Sequence, residues 1–275
     1  MNDEPRGIVL ADKPAGITSH DVVARARRAL GTRRVGHAGT LDPFATGLLI
    51  LLVGPATRLQ RFFMALPKTY EVTAKLGWTS STGDPEGVLD QTCRMPPEPI
   101  TLPTGRIRQR PPAYSAIKVA GERAYVRARR GESVELAERE VEIHGWELCW
   151  REGDRVGLRV ACSSGTYIRS LVADLGDAYC EELRRTAIGP FTLEHAWPTQ
   201  GPAPLLDVFA ACERFVPVLP LGAAELLDLR HGRAVAARGE SPLVLVIDAA
   251  TGVPKALAER REVAPTATLR PIVAV

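Results

Sequence analysis

Short apolar runs alternate with polar, glycine-containing segments along the first part of the chain. Residues 7–12 and 48–53 are mostly apolar runs that predict buried strands. Between them, Thr18 followed by Asp21 has the form of a capping box, and Gly31 is a typical C-terminal stop. These signals predict an amphipathic helix that begins after Thr18 and ends at Gly31.

The same pattern predicts further elements as far as residue 177. We expect a loop at residues 32–43, a helix at 57–66, a strand at 70–76, paired strands at 141–149 and 156–162, and a helix at 166–177. Interspersed strands and helices of this kind are compatible with a mixed α/β domain.

The other segments predict an irregular insert and a separate C-terminal module. Residues 79–112 contain many Gly and Pro, so we expect a long irregular excursion with one short helix. Residues 198–204 form a candidate linker, which a short helix around 206–215 follows. From Val216 onward, short apolar segments predict a small all-β module, with its clearest strand at 242–248.

Composition narrows the class of protein. The chain has 275 residues, of which 45% are hydrophobic and 24% charged, so it can form a sizeable core. The longest apolar stretch, residues 48–53, is far too short to span a membrane, and the polar N-terminus lacks the pattern of a secretory signal. Five cysteines without CxxC spacing argue against a disulfide framework or a zinc site. We therefore expect a reduced, cytoplasmic protein.

Positive charge is concentrated in two segments, although the net charge is only +3. Residues 1–70 carry ten Lys and Arg against five Asp and Glu, and residues 101–130 carry eight against one. The remainder of the chain is therefore acidic. This asymmetry is typical of a face that binds a polyanion, although solvated helix surfaces can have the same composition.

The densest chemical cluster lies at residues 35–47, where one carboxylate, Asp42, stands among glycines beside His37 and before Pro43. Glycines allow the backbone to approach a ligand closely, and the proline biases Asp42 towards an extended conformation. Such a loop can hold a carboxylate at the floor of a cleft. An ordinary Asp-Pro turn fits the same spacing, so the residues alone leave both interpretations open.

The segment GHAGTLDP at residues 36–43 closely resembles the signature of the TruB family, bacterial tRNA pseudouridine synthases that act on uridine 55 of the T-arm. Further segments resemble other family motifs in the same order: DKPAGITS at 12–19, KTY at 68–70, RQRPPAYSAIK at 108–118, CSSGTYIR at 162–169 and LRRT at 183–186. The resemblance covers most of residues 7–195, and several ordered blocks are far more specific than one short motif.

The resemblance implies three catalytic residues. Asp42 matches the aspartate that initiates breakage of the C1′–N1 glycosidic bond, either as a nucleophile or as a base. Tyr70 matches the tyrosine that stacks on the target uracil and handles a proton. Arg169 matches the arginine that pairs with the aspartate, and we expect a bidentate pair that favours the ionised carboxylate.

The resemblance and the second positive block also imply RNA contacts. His37 matches a residue that holds the extruded RNA, and Lys13 resembles a lysine that supports the active-site loop or the RNA backbone. Leu183 packs beneath the target base, and Tyr167 lines or supports the pocket. The full set of expected substrate-binding residues is Lys13, His37, Lys68, Arg108, Arg110, Lys118, Arg127, Arg129, Arg130, Tyr167 and Leu183.

The family implies an α+β pseudouridine synthase core, with a mixed, largely antiparallel sheet and flanking helices, at residues 1–212. Residues 79–112 form an RNA-gripping insert within it, and residues 216–275 resemble a small all-β PUA-like domain. The expected partner is the T-arm of tRNA, with no metal, cofactor, membrane or obligatory protein partner, and we expect a monomer. Two alternatives are a guide-RNA-dependent relative within a ribonucleoprotein and a tRNA-folding chaperone.

Overall fold

The computed structural model describes residues 5–115, 117–119, 121–134, 136–263 and 266–274, without the side chains of residues 125, 129, 263 and 266. The strands, in chain order, are β1 (Gly7–Lys13), β2 (Val35–His37), β3 (Thr46–Val53), β4 (Lys68–Leu76), β5 (Trp78–Ser80), β6 (Leu89–Gln91), β7 (Gly105–Gln109), β8 (Lys118–Val119), β9 (Glu122–Arg123), β10 (Arg139–Glu152), β11 (Arg155–Cys162), β12 (Ala178–Ile188), β13 (Phe191–Thr192), β14 (Val218–Leu221), β15 (Val235–Ala236), β16 (Leu243–Asp248), β17 (Pro254–Val263) and β18 (Thr266–Ala274). The helices are α1 (Ser19–Leu30), α2 (Gln60–Ala65), α3 (Ala124–Arg129), α4 (Ile168–Ala173), α5 (Val208–Glu213) and α6 (Ala223–Arg230), and a 3₁₀ turn (Gly54–Leu59) precedes α2.

The main sheet has nine strands and is mixed but largely antiparallel, as the resemblance implies. Seven strands follow the order β1-β3-β12-β4-β11-β10-β7, while β2 pairs with β3 and β13 pairs with β12. The strand β12 runs parallel to β3 and antiparallel to β4, so it joins the N-terminal strands to the rest of the sheet. No strand was predicted at this position, although β12 lies at the centre of the sheet.

The side chains of β4 alternate between the two faces of the sheet. Lys68, Tyr70 and Val72 lie on one face, and Thr69 and Glu71 lie on the other. Tyr70 and Val72 belong to a buried cluster that includes the apolar side chains of β11 and α4. A separate cluster packs α1 against β1 and β3.

The helix α1 begins and ends as its sequence predicts. Thr18 accepts a hydrogen bond from the backbone N–H of Asp21, and the Asp21 carboxylate accepts one from the backbone N–H of Thr18, so both halves of the capping box are present. Gly31 has φ 65° at the C-terminal end, a left-handed conformation that glycine adopts without strain.

Several other boundaries differ from the predictions. Residues 35–37 form β2 inside the predicted loop, and the predicted helix at 57–66 is divided between the 3₁₀ turn and α2. The helix α4 is shorter than the predicted 166–177. Residues 79–112, all of which the structure describes, contain strands and no helix, so the expected helix in this insert is wrong. The secondary structure of these regions depends on strand pairing between distant segments, which the local sequence does not encode.

The C-terminal strands form a second sheet of five strands in the order β14-β16-β17-β18-β15. The module also contains α6, so the expectation of an all-β module is wrong in this detail. Leu245 and Leu257 of this sheet share a buried cluster with Ile8, Leu48 and Phe209, which places α5 between the two sheets. The exact division of the chain between 212 and 216 stays a prediction. In the described residues, no helix has the length and apolar character needed to cross a membrane.

Candidate active site

A loop between β2 and β3 carries Asp42, and buried polar atoms fix its backbone. Leu41 donates its backbone N–H to Ser19 Oγ at 2.9 Å, and Lys13 Nζ donates to the Pro43 carbonyl at 3.1 Å. Gly16 donates to the same Pro43 carbonyl at 2.9 Å. Because these partners belong to β1, α1 and the turn between them, the position of Asp42 depends on the core of the domain.

Arg185 holds the other side of this loop from the centre of the sheet. It is 1% exposed, and its guanidinium donates to the carbonyls of Leu48 at 2.7 Å, Gly39 at 3.1 Å and Thr40 at 3.4 Å. Three backbone acceptors satisfy a charged group that would otherwise be costly to bury. The sequence motif contains Arg185, but its structural role was not predicted.

Arg169 connects Asp42 with two other segments of the chain. Its Nε atom lies 3.0 Å from Oδ2 of Asp42, and its Nη1 atom lies 3.0 Å from Oδ2 of Asp84. Nη1 also donates to the Thr82 carbonyl at 2.8 Å, and Nη2 donates to the Tyr114 carbonyl at 2.8 Å. The expected bidentate pair with Asp42 is therefore wrong, because the two terminal nitrogens are committed elsewhere and only Nε faces that carboxylate.

Asp84 was not predicted as a site residue. Its side chain is 5% exposed, and its Oδ1 accepts from Thr82 Oγ1 at 2.5 Å and from the Glu86 N–H at 3.0 Å. It lies in the turn that joins β5 to β6, next to Pro85. The one signal in the sequence is that Asp84-Pro85 repeats the Asp-Pro pattern of the recognised motif within a glycine-containing turn.

Burial and the neighbouring charges shift the pKa of Asp42 in opposite directions. Burial raises the pKa of Asp42 above its ordinary value, and the negative charge of Asp84 raises it further, while Arg169 and Lys13 lower it. The side chain is 31% exposed, so the carboxylate is open to the cleft although its surroundings are poorly solvated. Arg169 favours the ionised carboxylate, as we expect from the resemblance, but burial has the larger effect on the pKa of Asp42.

Tyr70 lies on β4 in the same cleft and is 8% exposed. Burial raises the pKa of its hydroxyl, and the neighbouring Arg185 guanidinium partly opposes this rise. A raised pKa keeps the phenol neutral at physiological pH. Tyr70 can therefore donate a proton, and its ring can contact an apolar or aromatic ligand.

Two clefts meet at Asp42 and Arg169. One has a volume of about 520 Å³ and contains Tyr70, Tyr167 and Leu183, and the other has about 450 Å³ and contains His20, Asp84 and Tyr114. A larger hollow of about 810 Å³ involves Glu71 and Trp150 and does not include Asp42. The first cleft thus brings together the three residues that the resemblance implies are catalytic with three of the expected substrate contacts, Lys68, Tyr167 and Leu183.

Two of the three predicted lysines, Lys13 and Lys68, are buried, and their ammonium groups donate to the protein backbone. Lys13 is fully buried, and its ammonium also donates to the carbonyls of Pro14 and Ile17. Lys68 is 6% exposed and donates to the carbonyls of Met64 and Leu66. Burial lowers the pKa of each lysine to about 8. Lys13 therefore supports the Asp42 loop, and neither ammonium has the exposure that an RNA phosphate contact requires.

His37 is partly buried beside His20, with the two ring centroids 5.3 Å apart. Burial, and then the neighbouring His20, lower the pKa of His37 to about 4, so the ring is neutral at physiological pH. Its Nδ1 atom has no hydrogen-bond partner among the described residues. The Nδ1 atom is itself buried, and His37 is not among the residues that line the two clefts beside Asp42, so its expected contact with the extruded RNA stays a prediction.

The backbone of Tyr167 is fixed on both sides by one buried side chain, Gln109. The Tyr167 N–H donates to Gln109 Oε1 at 2.8 Å, and the Tyr167 carbonyl accepts from Gln109 Nε2 at 3.0 Å. The Arg139 guanidinium lies over the Tyr167 ring, 4.8 Å from its centroid. Leu183, which is 7% exposed, contributes an apolar surface to the same cleft. Both predicted residues therefore line the cleft.

The expected phosphate contacts lie outside this cleft. Arg108 and Arg110 are 80% and 65% exposed, and both lie near Glu138. Arg127 and Arg130 form ion pairs with Glu132. The other two expected contacts are Lys118, which is exposed on β8, and Arg129, whose side chain lies outside the described residues. The structure thus describes an exposed basic surface whose charge acidic neighbours partly compensate.

The fold is similar to that of chains in two solved complexes. A chain in a Cbf5-Nop10-Gar1 complex matches with a TM-score of 0.65 and 24% identity, over 96% of this chain and 83% of that chain. A chain of an H/ACA RNP bound to a substrate RNA containing 2′-deoxyuridine matches with a TM-score of 0.65 and 23% identity, over 97% and 83%. At these identities the likeness establishes the fold alone.

Sequence comparison assigns the family. Residues 27–168 match the family model of the TruB family pseudouridylate synthase N-terminal domain. The tRNA pseudouridine synthase B of Thermobifida fusca (strain YX) is 46% identical over 93% of this chain and 94% of its own length. The protein of the same name from Mycobacterium tuberculosis (strain CDC 1551 / Oshkosh) is 43% identical over 88% of each chain. The chain belongs to the TruB family of pseudouridylate synthases.

Proposed function

We propose that this protein is a tRNA pseudouridine synthase that converts uridine 55 in the T-arm of tRNA to pseudouridine. The observation that carries the proposal is the Asp42 carboxylate, which lies 3.0 Å from Arg169 in a cleft that also contains Tyr70 and Leu183. The relatives named tRNA pseudouridine synthase B, which align with nearly the whole chain, support tRNA as the substrate.

The reaction breaks the C1′–N1 bond of the uridine, turns the uracil and joins C1′ to C5, and the proton at C5 is lost. Because the product contains the same atoms as the substrate apart from exchanged protons, the chemistry needs no redox cofactor. A uridine inside a folded RNA arm must first leave its stack to reach a buried carboxylate. The cleft of about 520 Å³ is large enough to receive one nucleoside.

Asp42 acts on the ribose side of the bond, either by adding to C1′ or by removing a ribose proton. Both routes require the ionised carboxylate. Arg169 favours that form, while burial and Asp84 raise the pKa of Asp42 and make the carboxylate a stronger base than an exposed aspartate. The Nε atom of Arg169 lies 3.0 Å from Oδ2 of Asp42.

Tyr70 and Leu183 bracket the position that the uracil would occupy in the cleft. The Tyr70 ring offers a stacking surface, and its neutral hydroxyl can exchange a proton with the base during the turn. Leu183 excludes water from the other side of the pocket. Outside the cleft, the exposed arginines near Glu138 and Glu132 would contact phosphates without reading sequence, and the insert at 79–112 would grip the T-arm.

The competing activity is guide-RNA-dependent pseudouridylation, because chains from H/ACA and Cbf5 complexes have the same fold. The stand-alone activity is favoured, since relatives at 43–46% identity are named tRNA pseudouridine synthase B, whereas those structural neighbours are 23–24% identical. We propose that the protein acts as a cytoplasmic monomer without an obligatory protein partner. A role in tRNA folding would be a second function of the same cleft, and an Asp42→Asn variant that still accelerates tRNA folding would demonstrate it.

The test uses a T-arm stem-loop RNA that carries tritium at C5 of its uridines. Wild-type protein alone should release tritium from the uridine at the position of U55, and Asp42→Asn should be at least about 10²-fold slower while binding the RNA normally. Glu194→Gln, which removes a carboxylate that is 79% exposed after β13, serves as the matched control and should retain full activity. No release by wild-type protein from either the stem-loop or full-length tRNA, with RNA binding intact, would contradict the proposal.

A further inference from the structure

Five basic residues line the cleft that contains Asp42 and Tyr70. Four of them form ion pairs or hydrogen bonds with other groups of the protein. Arg61 pairs with Glu259, and Arg169 pairs with Asp42 and Asp84. The other two, Arg185 and Lys68, donate to backbone carbonyls. The fifth is Arg139, the first residue of β10.

Arg139 is partly buried and has no carboxylate within ion-pair distance among the described residues. Its Nη2 atom donates to the Gly165 carbonyl, and one face of its guanidinium lies against the Tyr167 ring. Its Nε atom is buried without an acceptor in the described part of the chain, and Nη1 has no acceptor there either. Arg139 therefore brings an uncompensated positive charge, held in a fixed plane, to the wall of the cleft.

The surroundings argue against a role for Arg139 in fixing Tyr167. Gln109 already holds the Tyr167 backbone through two hydrogen bonds of 2.8 and 3.0 Å. An arginine that the fold does not need for this purpose, with an Nη1 group that no described residue accepts from beside a cleft for RNA, has the features of a phosphate-binding residue, because guanidinium donors match the geometry of phosphate oxygens.

We propose that Arg139 binds a phosphodiester of the RNA at, or directly next to, the nucleotide that enters the cleft. This inference rests on the proposed function and adds a substrate-binding residue to it. The contact holds the extruded nucleotide by its backbone, so it acts on substrate binding more than on the chemical step. It differs from the exposed arginines of residues 106–130, which lie outside the cleft and form ion pairs with acidic neighbours.

The experiment combines protein variants with stem-loop RNAs that each carry one neutral methylphosphonate near the target uridine. Wild type, Arg139→Gln and the control Arg155→Gln are compared by tritium release, which yields kcat and KM for each RNA. Arg155 lies on β11 beside β10 and is 51% exposed, so the control removes the same charge outside the cleft. We expect Arg139→Gln to raise KM about tenfold with kcat within about twofold, while the control stays within about twofold in both.

Comparing the RNAs that each carry one methylphosphonate identifies the phosphate that Arg139 contacts. One methylphosphonate position should lower kcat/KM of wild type and of Arg155→Gln about tenfold, and should change that of Arg139→Gln less than about twofold, because the partner of that phosphate is already absent. Equal losses in wild type and Arg139→Gln at every position would overturn the inference. So would an unchanged KM, or a lower kcat accompanied by a lower thermal midpoint, since these results indicate a structural role.

If Arg139→Gln does not fold, Arg139→Met replaces it, because an unbranched side chain can still pack on the Tyr167 ring. Failure of both variants to fold would mark Arg139 as a structural residue and overturn the inference. The proposed function fails separately, when wild-type protein releases no tritium from the unmodified RNA. Wild-type protein could release tritium while no methylphosphonate effect depends on Arg139. That result would contradict the inference about Arg139 and would still support the proposed function.

Discussion

The Oδ2 atom of Asp84 lies 3.0 Å from Nη1 of Arg169, and both side chains are at most 5% exposed. The same guanidinium meets Asp42 through Nε. One positive charge is therefore shared between two carboxylates, of which only Asp42 opens to the cleft. This arrangement explains why the pKa of Asp42 is raised although an arginine lies beside it, because the second carboxylate and burial together oppose the arginine.

Replacing Asp84 by Asn should move the acid limb of the pH–rate profile to lower pH. Activity requires ionised Asp42, and removing the negative charge of Asp84 lowers the pKa of Asp42 towards its ordinary value. We also expect a lower kcat at neutral pH, because Arg169 loses one anchor. Tritium release by Asp84→Asn and by the control Glu194→Gln, measured from pH 4.5 to 8, checks both effects. A limb that moves to higher pH in Asp84→Asn would refute the shared-charge explanation.

Arg169→Lys should lower kcat by about 10²-fold, with RNA affinity nearly unchanged. A lysine keeps the charge, but its single ammonium cannot meet Asp42, Asp84 and the Tyr114 carbonyl together. Single-turnover rates at saturating protein separate the chemical step from binding. A variant with wild-type single-turnover rates would mean that the charge alone, without the guanidinium geometry, is sufficient.

Arg185→Met should lower the free energy of unfolding by about 3 kcal/mol, because three carbonyls of the Asp42 loop and β3 lose their donor inside the core. Arg184→Met is the matched control. Arg184 pairs with Asp12 but is 39% exposed, so its loss should cost less than about 1 kcal/mol. Urea unfolding of both variants gives the comparison, and similar losses for the two would contradict the role assigned to Arg185.

Acid should destabilise wild-type protein through His37, and His37→Gln should reduce this loss. The folded-state pKa of His37 is about 4 and its ordinary value is 6.5, so the unfolded chain binds an extra proton between these two values. Stability from the neutral ring is present above pH 6.5 and is lost as the pH falls towards 4, by about 2 to 3 kcal/mol. Unfolding free energies at pH 7 and pH 4.5 measure the difference. His195→Gln, on a 91% exposed side chain, should behave as wild type.

The sequence alone predicted the helix α1, the strands around it and the segment that carries Asp42. These features depend on local signals, namely the capping box at Thr18, the left-handed stop at Gly31 and a compact motif of fixed spacing. Asp42, Tyr70 and Arg169 do lie together in one cleft, as the resemblance implies. Local features of this kind can be predicted from the sequence because each signal spans only a few residues.

Strand pairing and the contacts of buried charges were decided by the tertiary structure. The central strand β12 was not predicted, and Asp84 and Arg185 became recognisable as site residues only when β4, β12 and the turn after β5 came together. Lys68 shows the same effect in reverse, because burial assigns to the carbonyls of Met64 and Leu66 an ammonium group that we expected to bind RNA. The physical reason is that an ionisable side chain takes its role from the partners and solvent around it, and folding can bring those partners from distant positions, as it brings Arg185 to the Leu48 carbonyl.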